Sequence, residues 1–197
     1  MTEFDIDDSL PWALTWTVRE PLERASHALA HDGRVWLIDP VADEAALRAA
    51  LGLGEMAAVV QLLDRHPRDC KEIAQRFSVP HLRLPEVLPD SPFAMHRMVW
   101  KPRWRELCLW WEEHQALVVA EAVGASAYTA VGGRPLGVHP FLRLKPPSAL
   151  SRFSPEVLFL GHGPTVHSDA TPALDEALAR SRKDIPRVLP AMLKSAR

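Results

Sequence analysis

Residues 157–164 have the sequence VLFLGHGP, in which four apolar residues are followed at once by a polar turn. Two other segments share this arrangement, QLLDRHPRDC at 61–70 and ALVVAEAVG at 116–124. Apolar runs of this length are typical of strands that are buried on both faces. Ligands of open α/β sheets bind where loops leave the strand ends. We therefore expect the polar residues of the three segments to converge.

The rest of the chain alternates strands with helices, which indicates an α/β architecture with helices packed on a sheet. The elements predicted for the first half are strands at 14–18, 25–31 and 34–39, a helix at 43–51, a strand at 57–63, a helix at 69–77 and a strand at 79–82. Those predicted for the second half are strands at 94–100, 106–111, 116–120 and 157–160 and a helix at 171–183. The sequence predicts one domain over 1–197, with a loose tail at 1–11 and a C-terminal helical extension at 184–197.

Composition limits the classes of function. The formal net charge of −2 gives no electrostatic case for nucleic acid. The basic residues near the C-terminus are expected on a solvated helix face; they are Arg180, Arg182, Lys183, Arg187, Lys194 and Arg197. Residues 1–8 are acidic and lack an apolar region, so no signal peptide is expected, and no apolar run is long enough to predict a membrane span. Cys70 and Cys108 are expected to be core thiols in a reducing compartment, so the predicted location is the cytoplasm.

The order of the polar segments resembles the metallo-β-lactamase superfamily. That family has a strand ending in Asp-Pro, then His-x-His-x-Asp-His before a helix, then a strand ending in Gly-Asp, then a strand ending in Gly-His-Gly-Pro. The corresponding segments here are Asp39-Pro40, 64–69, Ala120-Glu121 and 161–164, and the resemblance spans roughly 25–180. It implies a metallo-β-lactamase-like αββα sandwich with a metal site along one edge. Imidazoles and carboxylates hold one or two ions in such a site, often zinc, and the metal lowers the pKa of a bound water.

The chain departs from the family pattern within the segment DRHPRD at 64–69. Only His66 stands where the family has a ligand of the same type. Asp64 replaces the first His, Arg68 replaces the catalytic Asp, and Asp69 replaces the last His. The resemblance therefore implies an incomplete ligand set in this segment.

The other segments keep part of the pattern. Glu121 stands at the position of the bridging Asp, and His162 retains the closing His. The family has a further metal-binding His at the position of Trp104 and Arg105, and the nearest histidine, His96, lies too far upstream to match it. If one ion binds, the resemblance implies zinc or manganese on Asp69, Glu121 and His162, with Asp64 and His66 as a second, weaker pair.

Arg68 is the strongest objection to a metal enzyme. Its guanidinium stays protonated, and beside a divalent cation it would repel the ion by several kcal/mol before screening. In place of the cation, Arg68 could neutralise Asp69 and Glu121 through paired hydrogen bonds. The sequence therefore favours a site without a cofactor over one weakly held ion, and both over an intact dinuclear site.

Each candidate residue also has an ordinary structural role to weigh. Asp69 precedes a predicted helix and could cap it. Glu121 would need a partner if buried, and an ion pair with an arginine would supply one. His66 could stack in a loop, and His162 could hydrogen-bond to the backbone.

Four tryptophans, at positions 100, 104, 110 and 111, lie within twelve residues. They could pack the sheet against helices, or Trp104 and Trp111 could contribute to an aromatic surface for a ligand or for a homodimer. His139 lies on a long loop and could line a cleft.

Three functions remain open at this stage. The first is a hydrolase-like protein with a reduced metal site. The second is a non-catalytic module that binds a small molecule or a protein partner through the former active-site cleft and a Trp-rich surface. The third is a metal-independent acid–base enzyme using His66 and His162, which has little support because no activated nucleophile is visible. No nucleic acid or membrane partner is expected.

Overall fold

The computed structural model of the protein describes residues 3–188. Its first half forms a six-stranded sheet with two helices. In chain order the elements are β1 (Phe4–Leu10), β2 (Ala13–Val18), β3 (Ala25–His31), β4 (Arg34–Ile38), α1 (Glu44–Leu51), β5 (Glu55–Gln61), α2 (Cys70–Phe77) and β6 (His81–Arg83). The strands lie side by side in chain order. The first four are antiparallel, whereas β4, β5 and β6 are parallel and are joined through the two helices.

The second half forms a four-stranded sheet. The elements are β7 (Phe93–Lys101), β8 (Trp104–Trp111), β9 (Ala116–Val119), β10 (Val123–Gly124), β11 (Gly137–Val138), β12 (Val157–Leu160) and α3 (Ala170–Arg180). The order in the sheet is β12-β9-β8-β7, and β10 pairs separately with β11. The pair β9–β12 is parallel, so both strands end at the same edge of the sheet.

The main hydrophobic core lies between the two sheets. Trp36 of the first sheet and Trp111 of the second both pack edge-on against Phe93, each at 5.1 Å between ring centroids. The ring of Phe159 in β12 packs edge-on against the ring of His27 in β3, with 5.2 Å between the centroids. These contacts join residues from strands far apart in sequence, so the two sheets form one sandwich.

Helices cover the outside of this sandwich. A second core cluster contains the alternate residues of β2–β5, such as Trp16 and Leu37, together with Leu47 of α1 and Ile73 of α2. Alternate residues of a strand point to opposite faces, so α1 and α2 pack on the face of the first sheet that is turned away from the second. The buried residues of α3, including Leu174, belong to the main core cluster. The architecture is an α/β sandwich, as predicted.

Two local features of the first sheet follow from the residues that form them. Asp32 and Gly33 turn the β3–β4 hairpin with φ of 48° and 72°, the left-handed conformations of a type I′ turn. Asp43 caps α1 by accepting a hydrogen bond from the backbone N–H of Ala46 at 2.8 Å.

The predicted tail at 1–11 is wrong over 4–10, because these residues form the edge strand β1. Phe4 lies opposite Val18, and the strand pairs with β2 as far as Leu10. Side-chain contacts with neighbouring elements hold its polar residues, including a 2.6 Å hydrogen bond between Asp7 and His167. Of the predicted extension at 184–197, residues 189–197 lie outside the described residues.

The predicted Trp-rich surface is also wrong for its two named residues. Trp104 is 7% exposed and Trp111 is 1% exposed, because both face the core between the sheets. Trp100, at 44% exposed, is the tryptophan that faces solvent. Cys70 and Cys108 are buried free thiols, as predicted, and burial raises the pKa of both. Within residues 3–188 no helix is both long enough and apolar enough to cross a membrane.

Candidate functional site

The ends of β5, β9 and β12 bring three candidate ligands together. His66, Glu121 and His162 each offer one ligand atom, and these atoms all lie within 4.8 Å of one another. Within the described part of the chain, they are the one group of at least three His, Cys, Asp or Glu residues spaced to hold an ion. The expected convergence of the three polar segments therefore occurs at these residues.

Two of the three ligand atoms are spaced as ligands of a tetrahedral metal ion would be. Nε2 of His66 lies 3.4 Å from Nε2 of His162 and 3.9 Å from Oε1 of Glu121. Ligands about 2.1 Å from a tetrahedral zinc ion are separated by roughly 3.4 Å. The histidine pair is thus already at ligand spacing, and Oε1 of Glu121 lies about half an ångström beyond that spacing from His66.

His162 is oriented as a metal ligand would be. Its Nδ1 lies 2.8 Å from the carbonyl oxygen of Leu22, which can only accept, so Nδ1 carries the proton and Nε2 presents its lone pair toward His66. Burial, with a further contribution from the positive charge of Arg68, lowers the pKa of His162 to about 4. The ring is therefore neutral at pH 7, which is the state that binds metal.

His66 differs from His162 in lacking an outer partner. Its Nδ1 is buried without a hydrogen bond. Burial, followed by the charge of Arg68, holds the pKa of His66 far below its usual value. With a proton on Nε2, the neutral ring can donate to Nε2 of His162, so the two imidazoles satisfy each other across the site.

Glu121 is held by an arginine that sequence reasoning missed. Arg65 donates from Nε at 3.0 Å and from Nη2 at 2.6 Å to Oε2 of Glu121. The Arg65 guanidinium also stacks on Trp104, 3.8 Å from the ring centroid. Burial raises the pKa of Glu121, and the bonds from Arg65 oppose this effect. Oε1 is left facing His66 and His139, so the ion pair considered from the sequence and metal ligation are compatible.

Arg68 does not make the predicted hydrogen bonds to Asp69 and Glu121. Its guanidinium instead donates to main-chain carbonyls, to Gly161 at 2.8 Å, to Asp39 at 2.6 Å and also to Ala25. The reason is geometric, because these carbonyls lie at the ends of β3, β4 and β12, which meet around the buried side chain. Arg68 thus ties the two sheets together.

The buried Arg68 also has an acidic neighbour in Asp39. Oδ1 of Asp39 accepts a hydrogen bond from the backbone N–H of Leu62 at 2.9 Å. Burial raises the pKa of Asp39 to about 6, and the charge of Arg68 limits that rise. Burial also lowers the pKa of Arg68.

Asp64 and Asp69 do not join the three-residue group. Oδ2 of Asp69 accepts a hydrogen bond from the backbone N–H of Ala42 at 2.7 Å and so fixes the loop after β4. Although Asp69 immediately precedes α2, its side chain makes no capping hydrogen bond, so the capping role considered from the sequence is wrong. The buried Oδ1 of Asp64 has no hydrogen-bond partner.

A buried glutamate supports the loop that carries Glu121. Oε1 of Glu106 accepts the backbone N–H groups of Glu121 at 2.8 Å and Ala122 at 2.9 Å, and its Oε2 accepts Nε1–H of Trp104 at 2.8 Å. Burial raises the pKa of Glu106 to about 7 against the effect of these donors. The signal in the sequence was a carboxylate directly before the apolar run LCLWW, within the strand WRELCLWW.

A cleft of about 250 Å³ opens beside the three-residue group. Its lining includes Arg65, Glu121, His139 and His162, as well as Tyr128 and Thr129, with the exposed Leu22 and Phe141 at the rim. The expectation that His139 lines a cleft agrees with this arrangement. Nε2 of His139 lies 3.6 Å from Oε1 of Glu121.

The sequence matches no protein-family model and no curated protein. Solved structures resemble the fold over most of the chain. The DIM-1 metallo-β-lactamase exposed to ceftazidime superposes with a TM-score of 0.63 at 12% identity, over 92% of this chain and 97% of that one. A metallo-β-lactamase from Hirschia baltica gives 0.58 at 9% identity, over 91% and 97%.

A mutant flavo di-iron protein from Thermotoga maritima also matches, with a TM-score of 0.64 at 11% identity, over 92% of this chain and 63% of that one. At these identities the likeness concerns the fold and carries no information about substrate. The two facing sheets, the outer helices and the site at the strand ends all agree with the likeness. The chain therefore has the fold of the metallo-β-lactamase superfamily.

Proposed function

We propose that this protein is hydrolase-like, with a metal site reduced to a single weak position for a divalent ion on His66, Glu121 and His162. The observation that carries the proposal is the convergence of His66, Glu121 and His162, whose ligand atoms lie within 4.8 Å of one another, with the two histidine nitrogens 3.4 Å apart. In this proposal the fixed charge of Arg68 replaces the second ion of the fold.

Two features support weak rather than tight binding. His66 can offer its Nε2 lone pair only if its proton moves to Nδ1, which is buried without a partner. Leaving a buried donor unpaired costs about 1–3 kcal/mol. Arg65 and Arg68 also bring two positive charges close to the ligand atoms, and these charges repel a cation. We expect a dissociation constant for zinc above about 1 μM.

The residues around this site would each have a defined task. A bound ion would supply a water of lowered pKa as nucleophile at neutral pH. Arg65 fixes Oε2 of Glu121, so that Oε1 is free to act as a ligand or to accept a proton. The Leu22 carbonyl fixes the tautomer of His162 and so aims its Nε2 at the site.

Metal titration of chelator-treated protein tests the proposal. Zinc and manganese should each raise the unfolding temperature, with about one equivalent bound at saturation. Glu121→Gln and His162→Ala should each weaken binding by about tenfold or more, because each removes one ligand. His167→Ala is the matched control, since His167 hydrogen-bonds to Asp7 outside the site. No thermal shift with either metal, or an equal shift in His162→Ala, would contradict the metal site.

A second candidate is the non-catalytic binding module, using the same cleft. It is favoured by the mutual pairing of the polar groups without an ion, Arg65 with Glu121 and His66 with His162. The rim residue Phe141, 70% exposed, offers apolar contact to a ligand. The metal-loaded protein can be tested against a panel of chromogenic esters, thioesters and phosphoesters. Binding of a member of the panel without hydrolysis of any of them would support this candidate over the hydrolase.

A further inference from the structure

The cleft contains two imidazoles with opposite proton positions. Nδ1 of His162 faces a carbonyl oxygen, that of Leu22, and must carry a proton. Nδ1 of His139 faces the backbone N–H of Phe141 at 3.3 Å and must accept. A neutral imidazole has one N–H, so Nε2 of His139 carries the proton whereas Nε2 of His162 presents a lone pair.

The ring of His139 is fixed in this orientation by its neighbours. Its side chain is buried, and it packs edge-on against Trp104 at 4.8 Å and against Tyr128 at 5.6 Å between ring centroids. Because Nδ1 accepts the hydrogen bond from Phe141 and carries no proton, the ring is neutral, with its single N–H at Nε2. A 180° turn of the ring about Cβ–Cγ would put a carbon in the place of Nδ1 and so break the hydrogen bond from the N–H of Phe141.

Among residues 3–188, no acceptor lies within hydrogen-bond distance of the N–H of His139. The facing acceptor is Oε1 of Glu121, and the separation of 3.6 Å is longer than a hydrogen bond. Both groups line the cleft. A ligand oxygen placed beside Glu121 would complete the bond that the carboxylate does not reach.

We propose that Nε2–H of His139 is a neutral hydrogen-bond donor for an oxygen of the bound ligand, and that the cleft takes ligands bearing a carboxylate or phosphate oxygen at this point. His139 is then a ligand-binding residue and not a metal ligand. The inference rests on the proposed function for the cleft in which the ligand lies, but it does not require that an ion be bound. A neutral imidazole N–H can support an oxyanion in this way without itself losing a proton.

The proton positions can be tested in the wild-type protein without metal or ligand. A long-range ¹H–¹⁵N spectrum of the imidazoles separates the two tautomers, and His139→Gln and His162→Gln assign the signals. We expect His139 to be protonated on Nε2 and His162 on Nδ1. Protonation of His139 on Nδ1 would overturn the proposal.

Ligand binding can be tested with inorganic phosphate as the probe. Phosphate should shift the His139 signals of the wild-type protein. His139→Phe, which keeps an aromatic ring without the donor, should bind phosphate about tenfold more weakly, whereas His139→Gln, which keeps an N–H, should stay within about threefold. Equal affinity in wild type and His139→Phe would overturn the proposal, and so would the absence of any shift in the wild type.

Measurements of zinc affinity test this inference separately from the proposed metal site. Both His139 variants should bind zinc within about threefold of the wild type, because His139 has no free lone pair on Nε2. A loss of zinc affinity as large as that of His162→Ala would make His139 a ligand and overturn the inference. If the wild type binds no zinc at all, the metal site fails, while the tautomer and phosphate results still decide the role of His139.

Discussion

Neighbouring side chains in the segment 65–69 have separate tasks. Arg65 holds Glu121, His66 faces the site, Arg68 joins strand ends, and Asp69 holds the loop after β4. The sequence indicated where this segment lies, but not how these tasks are distributed. The distribution depends on which way each side chain leaves the loop, and residues far away in sequence decide that.

A substitution of Asp69 tests whether this side chain holds the loop after β4 and is not a metal ligand. Asp69→Ala should lower the free energy of unfolding by about 1 kcal/mol, because it leaves the N–H of Ala42 without its acceptor. Zinc affinity, measured by titration, should stay within about threefold of the wild type. A tenfold loss of zinc affinity would return Asp69 to the set of ligands.

Three of the five ligands expected from the family resemblance come together, namely His66, Glu121 and His162. Each follows the end of a predicted buried strand, so its position could be inferred from the strand alone. Arg65 and Glu106 could not be found in this way. Arg65 is a common solvent-facing type of residue, and the role of Glu106 depends on two backbone N–H groups from the loop after β9.

At the scale of elements, β8 supports the loop after β9 through one side chain. Glu106→Ala removes the acceptor of the N–H groups of Glu121 and Ala122. It should lower the free energy of unfolding by about 2–4 kcal/mol and weaken zinc binding by at least about tenfold.

Glu106→Gln is the matched variant, because its amide oxygen can still accept both backbone bonds. Its zinc affinity should remain within about threefold of the wild type, although Trp104 loses its acceptor. Calorimetric titration and urea unfolding measure the two effects separately. Equal zinc affinity in all three proteins would show that Glu106 does not position Glu121.

The predicted elements agree with the structure wherever the local pattern was strong, as in the β3–β4 hairpin and β12. The strand β1 was missed because its sequence FDIDDSL is mostly polar, and its pairing depends on β2 across the turn. The burial of Trp104 and Trp111 also depends on packing between the sheets. Such contacts join distant segments and leave little local signal in the sequence.

At the scale of the whole molecule, buried titratable groups set the response to pH. Burial lowers the pKa of four histidines, to about 3 for His27 and His139, to about 4 for His162, and further still for His66. These rings are neutral when folded and protonated when unfolded below about pH 6.5. Their contribution to stability is therefore present above pH 6.5 and is lost as the pH falls toward 4.

Three buried carboxyls make the folded state more stable as the pH falls, because their raised pKa values let the folded state bind protons before the unfolded state does. They are Asp39, Glu106 and Glu121. The histidines outnumber them, so we expect the free energy of unfolding to fall by about 2 kcal/mol from pH 7 to pH 5. Urea unfolding across this range measures the slope. His27→Gln should reduce this fall, because it removes one of the groups that take up a proton on unfolding. Greater stability of the wild type at pH 5 than at pH 7 would contradict the expectation.

The three carbonyl contacts of Arg68 also have a consequence for folding kinetics. They join Arg68 to residues 43, 29 and 93 positions away in the sequence. Contacts across such long loops form late, and interactions absent from the folding transition state act mainly on the unfolding rate. Arg68→Met should therefore speed unfolding in stopped-flow experiments by at least about tenfold and leave the folding rate nearly unchanged.

Arg76→Met, which removes an exposed ion pair with Glu44, should change neither rate by more than about twofold. A slower folding rate in Arg68→Met would instead make Arg68 part of the folding nucleus. Under the expected result, the three carbonyl contacts of Arg68 also set the lifetime of the folded state.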